Sequence, residues 1–278
     1  MGKTILVTGG GGYIGRHVVK NLLDLGHKVV TVSLITEGID SRATVYNMDL
    51  FSGEKDLYNK LGKPDVCLHM AWRDGFVHNS DAHIDDLAGH YHFIKNMVEA
   101  GLGQLVVMGT MHEVGYWEGP IDENTPCRPS SLYGISKNAL RGMCELLAHE
   151  KDFMLQWVRA YYILGDDARN HSIFSKITQW EKEGLKTFPF TSGKNEYDFI
   201  QVDELARQIS AVATQTEVAG IINCCSGEPI SLKDKVTQFI EEHGYSIRPE
   251  YGAYPDREYD SPGVWGDATK IKKILNNH

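Results

Sequence analysis

Apolar and polar positions alternate between two periods along the first half of the chain. Thr4–Thr8 (TILVT) is a short β-favouring run closed by glycines. From Tyr13 to Leu25 the apolar residues Ile14, Val18, Leu22 and Leu25 recur at helical spacing, and Gly26 follows as a C-cap. Lys28–Val32 reads as a strand again. The rhythm continues with strands near Ala43–Asn47, Asp65–Met70, Gln104–Met108 and Met154–Arg159, with helical stretches between them. Strands alternating with helices predict an α/β fold, a doubly wound parallel sheet covered on both faces. Beyond residue 165 the rhythm loosens, with short strands at Lys186–Phe190, Tyr197–Val202 and Gly220–Cys224 among helices. The expected organisation is a main body over 1–165, with segments near 197–227 returning to it. A smaller, interwoven lobe occupies most of 166–278.

Composition narrows the class. The 278 residues are 42% hydrophobic and 23% charged, which argues against disorder. Mean hydropathy is −0.31, and no apolar run approaches the roughly 20 residues of a membrane span. The opening MGKTILVTGG reads as a strand and glycines rather than a secretory leader, so a soluble, cytoplasmic protein is expected. Net charge is −9 with no basic run, which counts against a nucleic-acid footprint or an anionic membrane as partner. Five cysteines (67, 127, 144, 224 and 225) form no CxxC and read as reduced thiols. Twelve histidines include three on one predicted helix (His83, His90, His92). There is no HExxH and no Cys/His quartet, so no metal is expected. GxSxG and GxxxxGK[ST] are also missing.

Thr8-Gly9-Gly10-Gly11-Gly12-Tyr13-Ile14-Gly15 links the first strand to the first helix. Gly9, Gly12 and Gly15 stand at the spacing of a dinucleotide-binding turn, where backbone N–H groups approach a pyrophosphate at the positive helix end. The pattern predicts a Rossmann domain. The second strand ends in Ser33 rather than in the acidic residue that holds the ribose hydroxyls of NAD. Arg42 is the nearest cation for a 2′-phosphate, or a surface charge, so NAD and NADP both stay open. Asp49-Leu50 after the third strand brackets the adenine, or Asp49 is simply a turn residue.

Tyr133-Gly-Ile-Ser-Lys137 puts a phenol and an ammonium one helical turn apart on one face. An ammonium beside a phenol favours the phenolate and is expected to lower its pKa from about 10. Tyr91-His-Phe-Ile-Lys95 has the same spacing but precedes the fifth strand, where it reads as packing plus a solvated lysine. Tyr133 lies beyond that strand, after Pro126 and Pro129. The strand itself ends in Gly109-Thr110, so Thr110 sits at the carboxyl edge of the sheet and can donate to a substrate oxygen.

These features, in this order, resemble the extended short-chain dehydrogenases/reductases, the nucleotide-sugar epimerases, dehydratases and ketoreductases. His69-Met-Ala71, Arg159-Ala-Tyr-Tyr-Ile-Leu-Gly165, Tyr197-Asp-Phe-Ile-Gln-Val-Asp203 and Asn223-Cys-Cys-Ser-Gly227 extend the likeness over nearly the whole chain. The resemblance implies Thr110, Tyr133 and Lys137 as the catalytic triad. It implies a dinucleotide held by Gly9, Gly12, Tyr13, Ile14, Gly15, Ser33, Asp49, Leu50, Met70 and Ala71, together with Tyr133 and Lys137. It further implies a substrate-binding role for the C-terminal lobe.

Departures from the family pattern narrow the chemistry. The 4,6-dehydratases carry an Asp-Glu pair directly after the catalytic threonine, where this chain has Met111-His112. Tyr197 stands where many relatives carry an arginine, and Asp86 where they carry asparagine. His112, His171 and Arg257 join Thr110 as candidate substrate contacts. Each histidine also reads as a structural one, and Arg257 as a surface ion pair. The expected reaction is reduction of a 4-keto group on a nucleotide-activated 6-deoxy sugar. The rivals are a 4-epimerase and a non-enzymatic, dinucleotide-sensing regulator. By the same resemblance a homodimer is expected, with Leu140, Met143, Leu147 and Ala148, together with Ile94, Met97 and Val98, either supplying an apolar four-helix contact or packing on the chain's own sheet.

Overall fold

The computed structural model describes residues 2–165, 172–256 and 260–277. β1 (Thr4–Thr8) leads into α1 (Gly15–Asp24), β2 (Lys28–Val32) and the short β3 (Thr44–Tyr46). α2 (Leu57–Lys60) precedes β4 (Val66–His69), and α3 (Ala82–Asp85) and α4 (Leu87–Glu99) lead to β5 (Gln104–Thr110). A 3-10 turn, Met111–Glu113, follows at once, then β6 (Gly119–Ile121), α5 (Leu132–Glu150) and β7 (Met154–Ala160). β8 (Tyr162–Leu164), α6 (Ile173–Lys182), β9 (Thr187–Pro189) and β10 (Glu196–Gln201) open the lobe. α7 (Val202–Thr214) and β11 (Gly220–Cys224) return to the main body. β12 (Pro229–Ser231), α8 (Leu232–Glu242), β13 (Arg248–Glu250), β14 (Gly263–Gly266) and α9 (Thr269–Asn276) follow.

Among the described residues the main sheet has seven strands in the order β11-β7-β5-β4-β1-β2-β3, every pair parallel. Along β5 the side chains alternate. Leu105 and Val107 pack with Ile94, Met97, Leu140 and Trp157 on one face, while Val106 and Met108 pack with Val158, Leu205 and Ile209 on the other. Burial on both faces is why these strands read as continuous apolar runs. Strand order reverses beside β1, whose neighbours are β2 and β4, and such a switch point opens a crevice at the carboxyl ends of the strands.

The sheet corrects the expected dimer contact. Ile94, Met97, Val98, Leu140 and Leu147 are buried in the chain's own core, because they lie on the sides of α4 and α5 that cover β5 and β7. Met143 and Ala148 are half-buried. Tyr91 and Lys95 fall on α4, where Lys95 lies 3.9 Å from Glu99. No helix among the described residues is long and apolar enough to cross a membrane.

The lobe has its own small core of Leu164, Phe174, Ile177, Phe188, Phe190, Val236 and Ile247. One buried carboxylate fastens it to the main body. Asp198 on β10 accepts from Ser226 N (2.8 Å) and Oγ (2.6 Å), Gly227 N (2.9 Å) and Gly266 N (3.1 Å). It thereby joins the Tyr197–Asp203 segment to the Asn223–Gly227 segment. Asp198→Asn would set an amide N–H₂ against backbone donors. We expect it to lower unfolding stability by about 2 kcal/mol, read as a shift of the urea midpoint at unchanged slope.

Candidate active site

The glycine turn leaves the carboxyl end of β1 at the switch point. Gly9 sits at φ +74°, where a Cβ would lie 2.8 Å from the backbone of Ala71, and a Cβ on Gly15 would lie 2.2 Å from Gly9 O. The turn therefore packs backbone on backbone, with Gly9 N donating to Val32 O (2.7 Å) and Gly12 N to Gly9 O (3.0 Å). No side chain caps the start of α1. An uncapped helix start behind a glycine cradle fits the pyrophosphate of a dinucleotide.

The neighbouring histidines can be assigned by counting donors. Thr8 Oγ1 accepts from Met70 N and Ala71 N (both 3.1 Å), so its single O–H donates to His69 Nδ1 (2.9 Å). His69 Nε2 then carries the proton and donates to His90 Nδ1 (2.9 Å). Burial, with Lys137 nearby, pushes His69 down to about 3 and His90 lower still, so both are neutral links rather than charges. Trp72 stacks on His90 at 4.3 Å and donates from Nε1 to His83 Nδ1 (3.0 Å). His83 Nε2–H therefore donates to Val77 O (2.9 Å).

Thr110, Tyr133 and Lys137 converge at the carboxyl end of β5. α5 starts at the Ser131 cap and lies against the 3-10 turn so closely that a Cβ on Gly134 would sit 2.4 Å from His112 O. The helix start is held from the other side by Tyr133 N donating to His78 O (2.9 Å) and Leu132 N to Asn79 Oδ1 (3.1 Å). The Thr110 side chain acts on the Tyr133 phenol in favour of its ionised form. Lys137 Nζ donates to Met108 O (2.6 Å) and lies 3.8 Å above the Trp72 ring.

The electrostatics differ from the expectation of a lowered phenol. Burial pushes Tyr133 up to about 12, with Thr110 opposing it. Burial also pushes Lys137 down to about 7, with Glu113 opposing. The ammonium is 6.0 Å from the phenol ring centroid and is engaged by Met108 and Trp72, so desolvation outweighs the attraction.

A cavity of about 510 Å³ joins the two groups. Its walls include Gly9, Gly12, Tyr13, Ile14, Gly15, Met70, Thr110, His112, Tyr133 and Lys137, all named from the sequence. Ser33, Asp49, Leu50 and Ala71 are not on its walls. Ser33 Oγ accepts from Gly11 N (3.3 Å), Asp49 caps Phe51 N (2.9 Å), Leu50 is buried in the core, and Ala71 N is bonded to Thr8. Arg42 is held by Asp24 (2.6 Å) and Asp40 (2.7 Å). His171 and Arg257 lie outside the described residues.

Sequence reasoning missed the loop from Asp74 to His78, which supplies one wall of the cavity. Asp86 explains part of its placement, holding Arg73 in a two-pronged ion pair (3.0 and 2.9 Å) at the loop's base. His78 stacks on Tyr133 at 5.6 Å and its ring centroid is 4.4 Å from that of His112. Burial, with His78 nearby, pushes His112 down to about 4. Asp74 is the one carboxylate residue among the described wall residues. Glu113, three places after Thr110, is wholly buried on the far side of the turn.

The comparisons with known proteins give the family and the fold. The model of the NAD dependent epimerase/dehydratase family matches residues 5–225. A dTDP-6-deoxy-L-talose 4-dehydrogenase (NAD(+)) of Aggregatibacter actinomycetemcomitans is 44% identical over 269 residues, covering 94% of this chain and 98% of its own. The UDP-glucose 4-epimerase of Thermotoga maritima, solved with UDP-glucose, superposes with a TM-score of 0.83 at 22% identity, covering 97% of this chain and 91% of that one. The NAD complex of the Thermus thermophilus UDP-glucose 4-epimerase gives 0.80 at 19% identity, with 97% and 92% covered. With the matched region running from the first strand to the end of β11, the chain belongs to the NAD-dependent epimerase/dehydratase family.

Proposed function

We propose that this protein interconverts the 4-hydroxyl and 4-keto forms of a nucleotide-activated 6-deoxyhexose, with dTDP as the nucleotide and NAD as the cofactor. The observation that carries the reading is the 44% identity to a dehydrogenase of that kind, spanning nearly all of both chains. The cavity supports it, since Thr110, Tyr133 and Lys137 share walls with the glycine cradle. With Asp74 on the wall and Glu113 turned away, elimination of water from the sugar has no acid–base pair beside Thr110.

In this reading Gly9, Gly12, Tyr13, Ile14 and Gly15 hold the pyrophosphate. Ser33, Asp49 and Leu50 serve the adenosine end, and Met70, Ala71, Tyr133 and Lys137 the nicotinamide end. NAD bound there would accept or supply the hydride at C4 of the sugar. Thr110 donates a hydrogen bond to the C4 oxygen, and Tyr133 exchanges a proton with it. The Lys137 cation, when protonated, favours the phenolate. His112, neutral near pH 7, offers a ring nitrogen to a sugar hydroxyl, while Phe76, Val77 and Ile163 make an apolar wall suited to a 6-methyl group. We further propose a cytoplasmic homodimer, formed through the outer face of α5, where Ile135 (44%) and Leu146 (60%) are exposed.

Incubation with a dTDP-6-deoxyhexose and NAD should raise the absorbance of reduced nicotinamide in step with loss of sugar. Product without any change in bound or free nicotinamide would point to an epimerase instead. NADP should bind at least about tenfold more weakly than NAD, because Arg42 is committed to Asp24 and Asp40. Tyr133→Phe removes one hydroxyl and should cut kcat by at least about 100-fold with NAD affinity within twofold.

Lys137→Met should abolish turnover and change the pH dependence of stability. The parent lysine has its folded pKa lowered to about 7 by burial, against about 10.4 unfolded. Between those values the unfolded chain holds the extra proton, so the parent gains stability as pH rises. The Tm of the variant relative to the parent should therefore be highest at pH 6 and fall toward pH 9.

A further inference from the structure

Glu113 takes no part in the chemistry described above, yet it is one of the most heavily bonded groups in the molecule. Its carboxylate is 0% exposed. Oε1 accepts from Thr110 N (2.8 Å) and Trp157 Nε1 (2.8 Å). Oε2 accepts from the same indole (3.0 Å) and from Arg159 Nε (3.3 Å), with Arg141 Nε 3.6 Å away. Arg159 is itself wholly buried and donates onward to Asp122 O (3.2 Å) and Cys127 Sγ (3.2 Å). The site is thus braced by β7 through Trp157 and Arg159, and by α5 through Arg141.

A second observation shows that the backbone is shaped around this carboxylate. A Cβ on Gly109 would lie 2.1 Å from Trp157 Nε1 and 2.5 Å from Glu113 Oε1. The last two residues of β5 are therefore a glycine that clears space for the Glu113–Trp157 bond and a threonine whose N–H that carboxylate holds. On its other side Thr110 Oγ1 accepts from His112 N (3.3 Å), which limits the rotation of the hydroxyl that acts on Tyr133.

We propose that Glu113 is a positioning residue for the reaction, fixing Thr110 so that its hydroxyl meets both Tyr133 and the C4 oxygen of the sugar. It acts through Thr110 and touches no substrate. Its charge also faces the catalytic pair across the turn. Around Tyr133 stand Thr110, His78, His83 and His112, and Lys137 acts on both His69 and His90. Glu113 alone among the groups that act on both Tyr133 and Lys137 is an acid, and it works to raise each of their pKa values.

The test rests on the dehydrogenase reading for its assay, and wild-type turnover is the control for that reading. Glu113→Gln keeps size and shape but removes the charge and sets an amide N–H₂ among donors. With NAD affinity and the KM for the sugar within threefold, kcat should fall by up to about 100-fold, the loss expected from a slightly misplaced hydroxyl. The pH–rate profile should move toward acid, because removing an anion lowers the pKa of both Tyr133 and Lys137. A packing role alone would leave that profile in place. A crystal structure of the variant, with the Thr110 hydroxyl displaced from the Tyr133 phenol, would support the proposal independently of turnover. Should Glu113→Gln fail to fold, Trp157→Phe removes one donor and keeps the charge. It should then lower kcat at constant KM without moving the profile. A folded Glu113→Gln or Trp157→Phe with wild-type kcat and an unmoved Thr110 would overturn the assignment.

Discussion

One hydroxyl, that of Thr8, holds the crevice of this protein together. It takes N–H bonds from Met70 and Ala71 and gives its proton to His69, which ties the carboxyl ends of β1 and β4 at the point where strand order reverses. With those ends fixed, the glycine turn can lie against Ala71 without a side chain between them. His69 and His90 extend the same chain of bonds to Trp72, and Trp72 carries the ammonium of Lys137 on its face. The cradle and the catalytic pair are thus built from one connected set of contacts, all neutral except at its end.

Burial governs the chemistry more than proximity does. In the free protein the low-dielectric surroundings disfavour both the phenolate of Tyr133 and the ammonium of Lys137, pushing the two pKa values apart in the unhelpful direction. Thr110 acts against that tendency at the phenol, while the charge of Glu113 opposes it at Lys137 and adds to it at Tyr133. The buried lysine is costly for stability, and in the proposed reaction its cation assists proton transfer at Tyr133. The family resemblance named three residues that line one cavity but not the sign of their mutual effect, which depends on how much water reaches them.

Much was legible from the chain alone. The strand–glycine–helix start and the Tyr133–Lys137 spacing follow from local pattern, because each is encoded by residues within one or two turns of each other, whereas Thr110 joined that pair through the family resemblance. Both Tyr133–Lys137 and Tyr91–Lys95 satisfy the same spacing, and only their order relative to β5 separated them. The strands β6, β8, β12, β13 and β14 escaped the pattern. They are three or four residues long and pair across large separations, as Val264 does with Gly119.

What the tertiary structure alone decided was the use of each polar group. Asp86 and Arg42 looked like candidates or departures in the sequence and proved to be partners of Arg73 and of Asp24 and Asp40. The apolar residues of α4 and α5 could have faced a second subunit or the sheet, since helical spacing defines a stripe without naming what covers it, and here they face the sheet. Glu113 stands three places after Thr110 and could have pointed into the cavity. The 3-10 turn carries it to the opposite side, against Trp157 and Arg159 from a strand more than forty residues away. Periodicity fixes which residues share a face, whereas the partner across that face is supplied by distant chain, and no local rule carries that information.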